Sequence, residues 1–301
     1  MAGGRERELR RRIRSVRSTR KITKAMELIA ASQIARAQAR IAANRPYRDG
    51  MQRVLAEAVA GDPDAAARVT GTPERVQRAV VVSIVGDRGL AGPYNGSVLR
   101  MTERCVAELR DAGVSVELVT VGRKAHAYFR FRRIDVARAF QGFSDRPGFD
   151  DARKLAAAVS APFRLGEADQ VLLVSMRFLS AGRQEVATRQ LLPLPTPEQP
   201  EGSEPSAGGG GYTEFEPEVA ELLDELAPAM VQAELFTALL EGAAAFHTSQ
   251  QRAMAAATEN ADELVRTLTR EMNRARQDSI TTEIMEIVGG AEALRQEKEH
   301  A

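Results

Sequence analysis

Arg17 to Gln38 read RSTRKITKAMELIAASQIARAQ, and this run decides what kind of molecule the chain is. Within and around it Leu9, Ile13, Val16, Ile22, Met26, Ile29, Ile34, Ala37 and Ile41 recur at mostly three- or four-residue intervals, with Arg and Lys between them. That spacing puts a narrow apolar stripe on a charged helical cylinder, and a narrow stripe wants one partner helix. The helix is expected from about Glu6 towards Ala60, roughly 80 Å long at ~1.5 Å per residue. Pro46 lacks an amide hydrogen and crowds the preceding turn, so a bend or interruption is expected near Asn44 and Arg45. Gly61, Pro63, Gly71 and Pro73 then end the helix.

The other end of the chain supplies the partner. A second helical pattern starts near Pro217, a residue suited to a first turn, and is expected to reach about Val288 before Gly289 and Gly290 stop it. Only Pro228 and Gly242 disturb it, and its length is on the order of 100 Å. Leu264, Leu268, Met272, Ala275, Ile280, Ile284, Ile287 and Val288 keep helical spacing, so this helix also presents a narrow seam. Neither helix fits inside a domain of this size. The economical solution is a long antiparallel coiled coil of the N- and C-terminal helices.

Between the ends the pattern changes. Ala79 to Val85 (AVVVSIV), Val114 to Val121 (VSVELVTV) and Gln170 to Phe178 (QVLLVSMRF) are short runs rich in β-branched residues, of the kind that form buried strands. Ser97 to Asp111 and Asp151 to Leu165 read as helices between them, and a last strand is expected near Glu185 to Leu192. This alternation implies a Rossmann-like α/β domain with a mainly parallel sheet. The fold class is therefore α/β, with a coiled-coil helix over residues 1–60, the α/β domain over 74–192, a flexible Pro/Gly-rich loop over 193–216 and the second coiled-coil helix over 217–290. The stretch Pro193 to Gly211, with PLPTPEQPEG and GGGG, can hold no regular structure.

Composition narrows the function classes. The 301 residues are 44% hydrophobic and 28% charged, which excludes disorder throughout. The net charge of +1 hides a basic N-terminal rod, in which Glu6, Glu8, Glu27 and Asp49 are the only acids before residue 54. The absence of Trp and an aromatic content of 5% suit helix-on-helix packing. Cys105 stands alone, so no internal disulfide is possible and a reducing, intracellular compartment is expected. No segment approaches the ~20 consecutive apolar residues of a membrane span, and the N-terminus is too charged for a secretory signal and too acidic for a presequence. The chain is expected to be soluble or peripheral.

Four stretches bring a family with them: RSTRKITKAMELIAASQIARAQ at 17–38, RPY at 45–47, GDRGLAGPYN at 86–95, and AMAAATENADEL at 253–264 followed by NRARQDSITTEIMEIVGGAEAL at 273–294. They resemble the γ subunit of F-type ATP synthases, in the right order and over both ends and the middle. The resemblance implies a bacterial central stalk, non-catalytic itself, whose coiled coil turns inside a ring of catalytic and non-catalytic subunits. Its partners would be those head subunits, the epsilon subunit and the c-ring of the membrane sector, with no nucleic acid and with the membrane touched only indirectly. It would lie peripherally on the cytoplasmic face of the plasma membrane. By the same resemblance Arg11, Arg12, Arg17, Arg20, Lys21 and Lys24 face acidic loops of the catalytic subunits, Met26 sits at the tight part of that contact, and Arg276, Gln277, Thr281 and Glu283 hydrogen-bond to catalytic-subunit loops. Where the family's strand-to-turn motif reads roughly SSDRGLCG, this chain has Ile84, Val85, Gly86 and Asp87 leading to Ala91 in place of Cys; it also has Ala255 where Lys is frequent and Phe246 where a glutamate is common.

The residues also admit blander readings. A run of Arg and Lys on a helix is most often a solvated face, Met26 on an apolar stripe is ordinary seam packing, and Arg276 and Gln277 suit exposed coiled-coil flanks. Gly86, Gly89 and Gly92 follow a strand and open onto a helix, where a phosphate would meet helix amides. Their spacing is GxxGxxG, no GxxxxGK[ST] occurs, and a tight structural turn is favoured over a nucleotide site. No cofactor is expected. His126, His247 and His300 lack metal-type spacing, Ser83 and Ser97 lack a nucleophile-elbow context, and Cys105 reads as a small buried residue. Two rival classes remain: a dinucleotide-dependent enzyme using the α/β domain, and a basic coiled-coil adaptor for nucleic acid or a membrane surface. A seam shaped for a sleeve leaves apolar surface open, so the isolated chain is expected to be marginally stable and aggregation-prone.

Overall fold

The computed structural model describes residues 2–71, 73, 75–195 and 218–299. The elements run in the order α1 (Ala2–Gly61), α2 (Pro63–Thr70), β1 (Arg78–Ile84), α3 (Tyr94–Asp111), β2 (Ser115–Val121), α4 (Arg123–Phe131), β3 (Arg138–Phe140), α5 (Phe149–Arg164), β4 (Gln170–Phe178), β5 (Gln184–Leu192) and α6 (Val219–Glu299). They divide into two compact units, one made of Met1–Ile29 with Gln251–Ala301 and the other of Ala30–Gln250.

The second unit is built on a five-stranded sheet of order β3-β2-β1-β4-β5. Strands β1, β2, β3 and β4 pair in parallel, and β5 closes one edge antiparallel to β4. Alternation along β1 explains the layering. Val80, Val82 and Ile84 face a core with Leu155, Ala156 and Val159 of α5 and with Leu223, Leu235 and Leu239 of α6. Val81 and Val85 face the opposite core, with Val98 and Val106 of α3 and Phe129 of α4. Strand β1 is buried from Ala79 onwards, as a central parallel strand covered on both faces must be. Part of α6 is apolar enough over 18 residues to resemble a membrane span, but 72% of that stretch is buried inside the fold, which marks a core helix.

Several boundaries differ from expectation. Helix α1 passes through Pro46 without ending. Pro46 and Ala42, whose carbonyl loses its usual amide partner, both lie on the exposed side, where solvent can take the lost bond. Gly61 does end α1, but Pro63 starts a further short helix, α2, because Asp62 caps it by accepting from the Ala65 amide at 2.9 Å. Helix α4 and the three-residue strand β3 were not anticipated from the sequence. Gly289 and Gly290 do not stop α6, which continues to Glu299. The start expected at Pro217, residues 196–216 of the expected loop, and His300 lie outside the described residues.

Candidate functional site

In the unit formed by the chain ends, α1 and α6 run antiparallel. Leu9 and Ile13 of α1 are buried against Leu268 and Ala275 of α6, with Val16, Val265 and Met272 packed beside them. Further along, the Thr23 and Thr258 hydroxyls lie 2.8 Å apart, and Arg20 donates to the Asp262 carboxylate at 2.7 Å. The seam residues of α6 are thus Thr258, Ala261, Val265, Leu268, Met272 and Ala275, alternating by three and four as a coiled-coil seam requires. Two residues expected in the α1 stripe are not in it: Ile22 and Ile29 are 58% and 60% exposed, and Thr23 takes the buried position instead.

The C-terminal part of the expected seam also needs correction. Ile280, Ile284, Ile287 and Val288 are all exposed, as is Leu264. The step from Ala275 to Ile280 is five residues, which at about 100° per residue turns the apolar stripe roughly 140° away from the seam. What the sequence presents as one stripe is two, and the second has no partner among the described residues. Polar side chains rim it: Arg276 and Glu283 fall on one side at seven-residue spacing, and Gln277 and Thr281 on the other. All four are exposed, and Glu283 accepts from the Ser279 hydroxyl at 3.3 Å. Exposed apolar surface rimmed by polar groups is the form of an interaction site.

The six basic residues of α1 do not form one patch. All are exposed, but helical spacing puts Arg17, Lys21 and Lys24 along one flank, Arg12 on the other and Arg11 behind the seam. Arg20 is drawn into the pair with Asp262, and Lys24 pairs with Glu27 at 3.0 Å. Arg20, Lys21 and Lys24 meet at an open groove of about 690 Å³ between the helices, faced by Glu259 and Asp262, with Ala25, Leu28, Ala255 and Thr258 also lining it. Met26 is half-buried beside the seam.

The glycine-rich turn was the other candidate. With strand order 3-2-1-4-5, a nucleotide would enter at the carboxyl ends of β1 and β4. That space is filled by the chain itself. Phe246 of α6, 1% exposed, packs so closely on Gly86 that a Cβ there would lie 3.0 Å from its ring. Tyr94 meets the same ring edge-on at 5.6 Å, and burial raises its phenol well above the ordinary range. The turn is tight, with Leu90 at φ 62° and Gly92 at φ 51°. Asp87 ties the turn to its neighbours, accepting from the first amide of α4 at Arg123 and from the loop amides of Gly142 and Ser144 at 3.0–3.1 Å, and from the Ser144 hydroxyl at 2.8 Å. Burial works to raise the Asp87 pKa, but these donors outweigh it and hold the carboxyl below its usual value. Phe246, Gly86 and Ala91, three of the departures seen in the sequence, share one core cluster or touch within it.

Comparison with known proteins gives this arrangement a relationship. A family model described as ATP synthase matches residues 5–294. The ATP synthase gamma chain of Parafrankia sp. (strain EAN1pec) is 47% identical over 297 residues, covering 97% of this chain and 98% of the relative. The chain belongs to the ATP synthase gamma-chain family. Another member, the ATP synthase gamma chain of Frankia casuarinae, is 46% identical over 296 residues, again 97% and 98% of the two chains. Among solved structures, the fold is similar to a chain of the Euglena gracilis mitochondrial ATP synthase, with a TM-score of 0.68 at 20% identity over 98% of this chain and 96% of that one. A chain from the Tetrahymena thermophila mitochondrial ATP synthase central stalk and c-ring gives 0.61 at 23% identity, over 78% and 99%. In this family member the buried Phe246 went unread in the sequence because it looked only like a substitution. The signal available was its coincidence with a glycine at position 86.

Proposed function

We propose that the chain is the central-stalk rotor of a bacterial F-type ATP synthase, coupling ion flow through a membrane sector to ATP synthesis or hydrolysis in a catalytic head. The observation that carries this is the end of α6. Its apolar strip of Ile280, Ile284, Ile287 and Val288 is exposed, turned away from the α1 seam and rimmed by Arg276, Gln277, Thr281 and Glu283. A helix end that continues past its partner with open apolar surface suits a sleeve made by other subunits. The bacterial relatives, and the assemblies in which chains of similar fold occur, support the same reading.

On this reading the chain is non-catalytic, and its coiled coil is made by the parts of α1 and α6 that pack together in the unit formed by the chain ends. The head's catalytic and non-catalytic subunits surround the coiled coil, while the epsilon subunit and c-ring meet the α/β domain at the cytoplasmic face of the membrane. Arg11, Arg12, Arg17, Arg20, Lys21 and Lys24 meet acidic loops at successive angles, with Met26 at the closest approach. Because these cations are spread around α1, each rotational position presents a different charge to a given subunit. Rotation then acts through differences in contact energy between subunit states.

The test is ATP hydrolysis by the cognate head subunits with and without this chain, run beside size-exclusion chromatography. One copy per ring, with sustained hydrolysis that depends on it and weakens in Arg276→Ala and Gln277→Ala, is the expected result. A chain that elutes apart from the ring and leaves hydrolysis unchanged would end this reading.

A further inference from the structure

The carboxyl edge of the sheet holds α6 through a socket that has a glycine backbone as one wall and side chains as the others. Phe246 enters it. On one side stands Gly86, where a Cβ would lie 3.0 Å from the Phe246 Cδ2 and Cε2 atoms. On another stands Tyr94, whose ring crosses Phe246 at 83°. One turn earlier on α6, a Cβ at Gly242 would lie 3.1 Å from the Tyr94 hydroxyl, so helix and turn are flush there as well. The next residue, His247, is 3% exposed, and its Nε2 lies 3.3 Å from the Asp145 carbonyl. The loop carrying Asp145 is fastened in turn to the β1 turn: Arg88 pairs with the Asp145 carboxylate, and Asp87 accepts from the Ser144 amide and hydroxyl. The β1 turn, the 142–146 loop and residues 242–247 of α6 therefore close on one another.

We propose that this socket is the latch through which the α/β domain and α6 turn together, with Phe246 its positioning residue and His247 its polar staple. The proposal rests on the rotor reading. The other contacts of α6 in this unit are aliphatic packing by residues such as Leu223, Leu235 and Leu239, the Phe236 ring set edge-on to Phe149, and the pairing of Glu234 and Glu241 with Arg189. An aromatic ring against a glycine backbone has no side-chain neighbour that can give way on that side. Rotation of α6 about its own axis drives the ring against that backbone or lifts it out of the socket.

The test has two independent arms. The first is a thermal double-mutant cycle on the full chain with Gly86→Ala, Phe246→Ala and the pair. Phe246→Ala is expected to lower Tm by about 5 °C or more, as for loss of a buried aromatic side chain. Gly86→Ala is expected to lower Tm in the wild-type background and to lose most of that effect when Phe246 is Ala. The Cβ contact with the Asn95 Oδ1 at 3.1 Å is present in both backgrounds and cancels. Additive shifts overturn the socket.

The second arm uses Phe246→Leu, which keeps an apolar core residue, in the complex assembled with its head and membrane sector in vesicles. Ion uptake per ATP hydrolysed is expected to fall, because the shaft turns without carrying the domain fully with it. Unchanged uptake per ATP overturns the latch and leaves Phe246 as core packing only. If the wild-type chain does not assemble, the rotor reading and the torque role fall together, while the Tm cycle still reports on the socket.

Discussion

Replacing Ile284 and Ile287 together by Ala separates a partner-facing strip from ordinary core packing. In the free chain these side chains are 54% and 72% exposed, so only those shares remain to be buried by a partner. Each change removes three carbons, worth ~2.4 kcal/mol at ~0.8 kcal/mol per carbon withdrawn from water. Scaled by the exposed shares, the losses are about 1.3 and about 1.7 kcal/mol. Their sum of ~3 kcal/mol corresponds to roughly 100-fold weaker association with a partner that covers the strip fully. The free chain should barely notice, because the removed atoms touch little and Ala is the better helix former. The assay is titration of the head subunits with wild-type and variant chain, read by chain-dependent ATP hydrolysis and size-exclusion chromatography, with a melt of each free chain as control. A variant that melts several degrees lower yet binds as tightly as wild type would refute the reasoning.

Two further predictions concern the fold. Asp87→Asn should cost about 1–3 kcal/mol at neutral pH, since the carboxylate accepts charge-assisted bonds from buried donors. The Asp87 pKa is depressed in the folded state, so its contribution is full above the unfolded carboxyl value of about 4 and is lost as pH falls through the folded value. Urea unfolding at pH 7 and near pH 3 should show the gap between wild type and variant closing in acid, and a constant gap would count against it. In the coiled-coil seam, Thr23→Val alone removes one hydroxyl from a bonded pair and should cost about 1 kcal/mol, whereas Thr23→Val with Thr258→Val restores an apolar layer and should recover most of it. Equal and additive losses, measured by thermal unfolding, would contradict that account.

What the sequence made legible follows from how local each signal was. Strand β4 matches the run Gln170 to Phe178 residue for residue, and β1 and β2 lie within one residue of expectation, because continuous β-branched runs bounded by polar residues admit few other readings. Helix α4 was missed because RKAHAYFRF spans only nine residues with six of them polar or small, and just Ala125 and Phe129 are buried. Strand β3 is three residues long and is held by pairing to β2, an influence outside its own sequence. Gly289 and Gly290 were read as a stop signal, but glycine weakens a helix without ending it unless the backbone also turns left-handed. At the candidate site, the identity of the basic and C-terminal residues was readable and their facing was not. Phase decides facing, and the five-residue step after Ala275 changes phase in a way that a list of apolar positions conceals.

The same step has a thermodynamic consequence. Beyond it α6 continues to Glu299 with Ile280 to Ala291 exposed and with two adjacent glycines, each costing ~1 kcal/mol relative to Ala in a helix interior. The glycines divide the tip into stretches of thirteen residues (276–288) and nine (291–299), and isolated helices shorter than about 12–15 residues are marginal in water, because the nucleation cost is spread over too few bonds. The tip therefore draws its order from the remainder of α6 and from whatever encloses it. Enclosure stiffens the backbone as well as covering the side chains, so assembly carries the calorimetric mark of folding coupled to binding: a more negative heat-capacity change than the contact area alone would give, set against an entropy penalty.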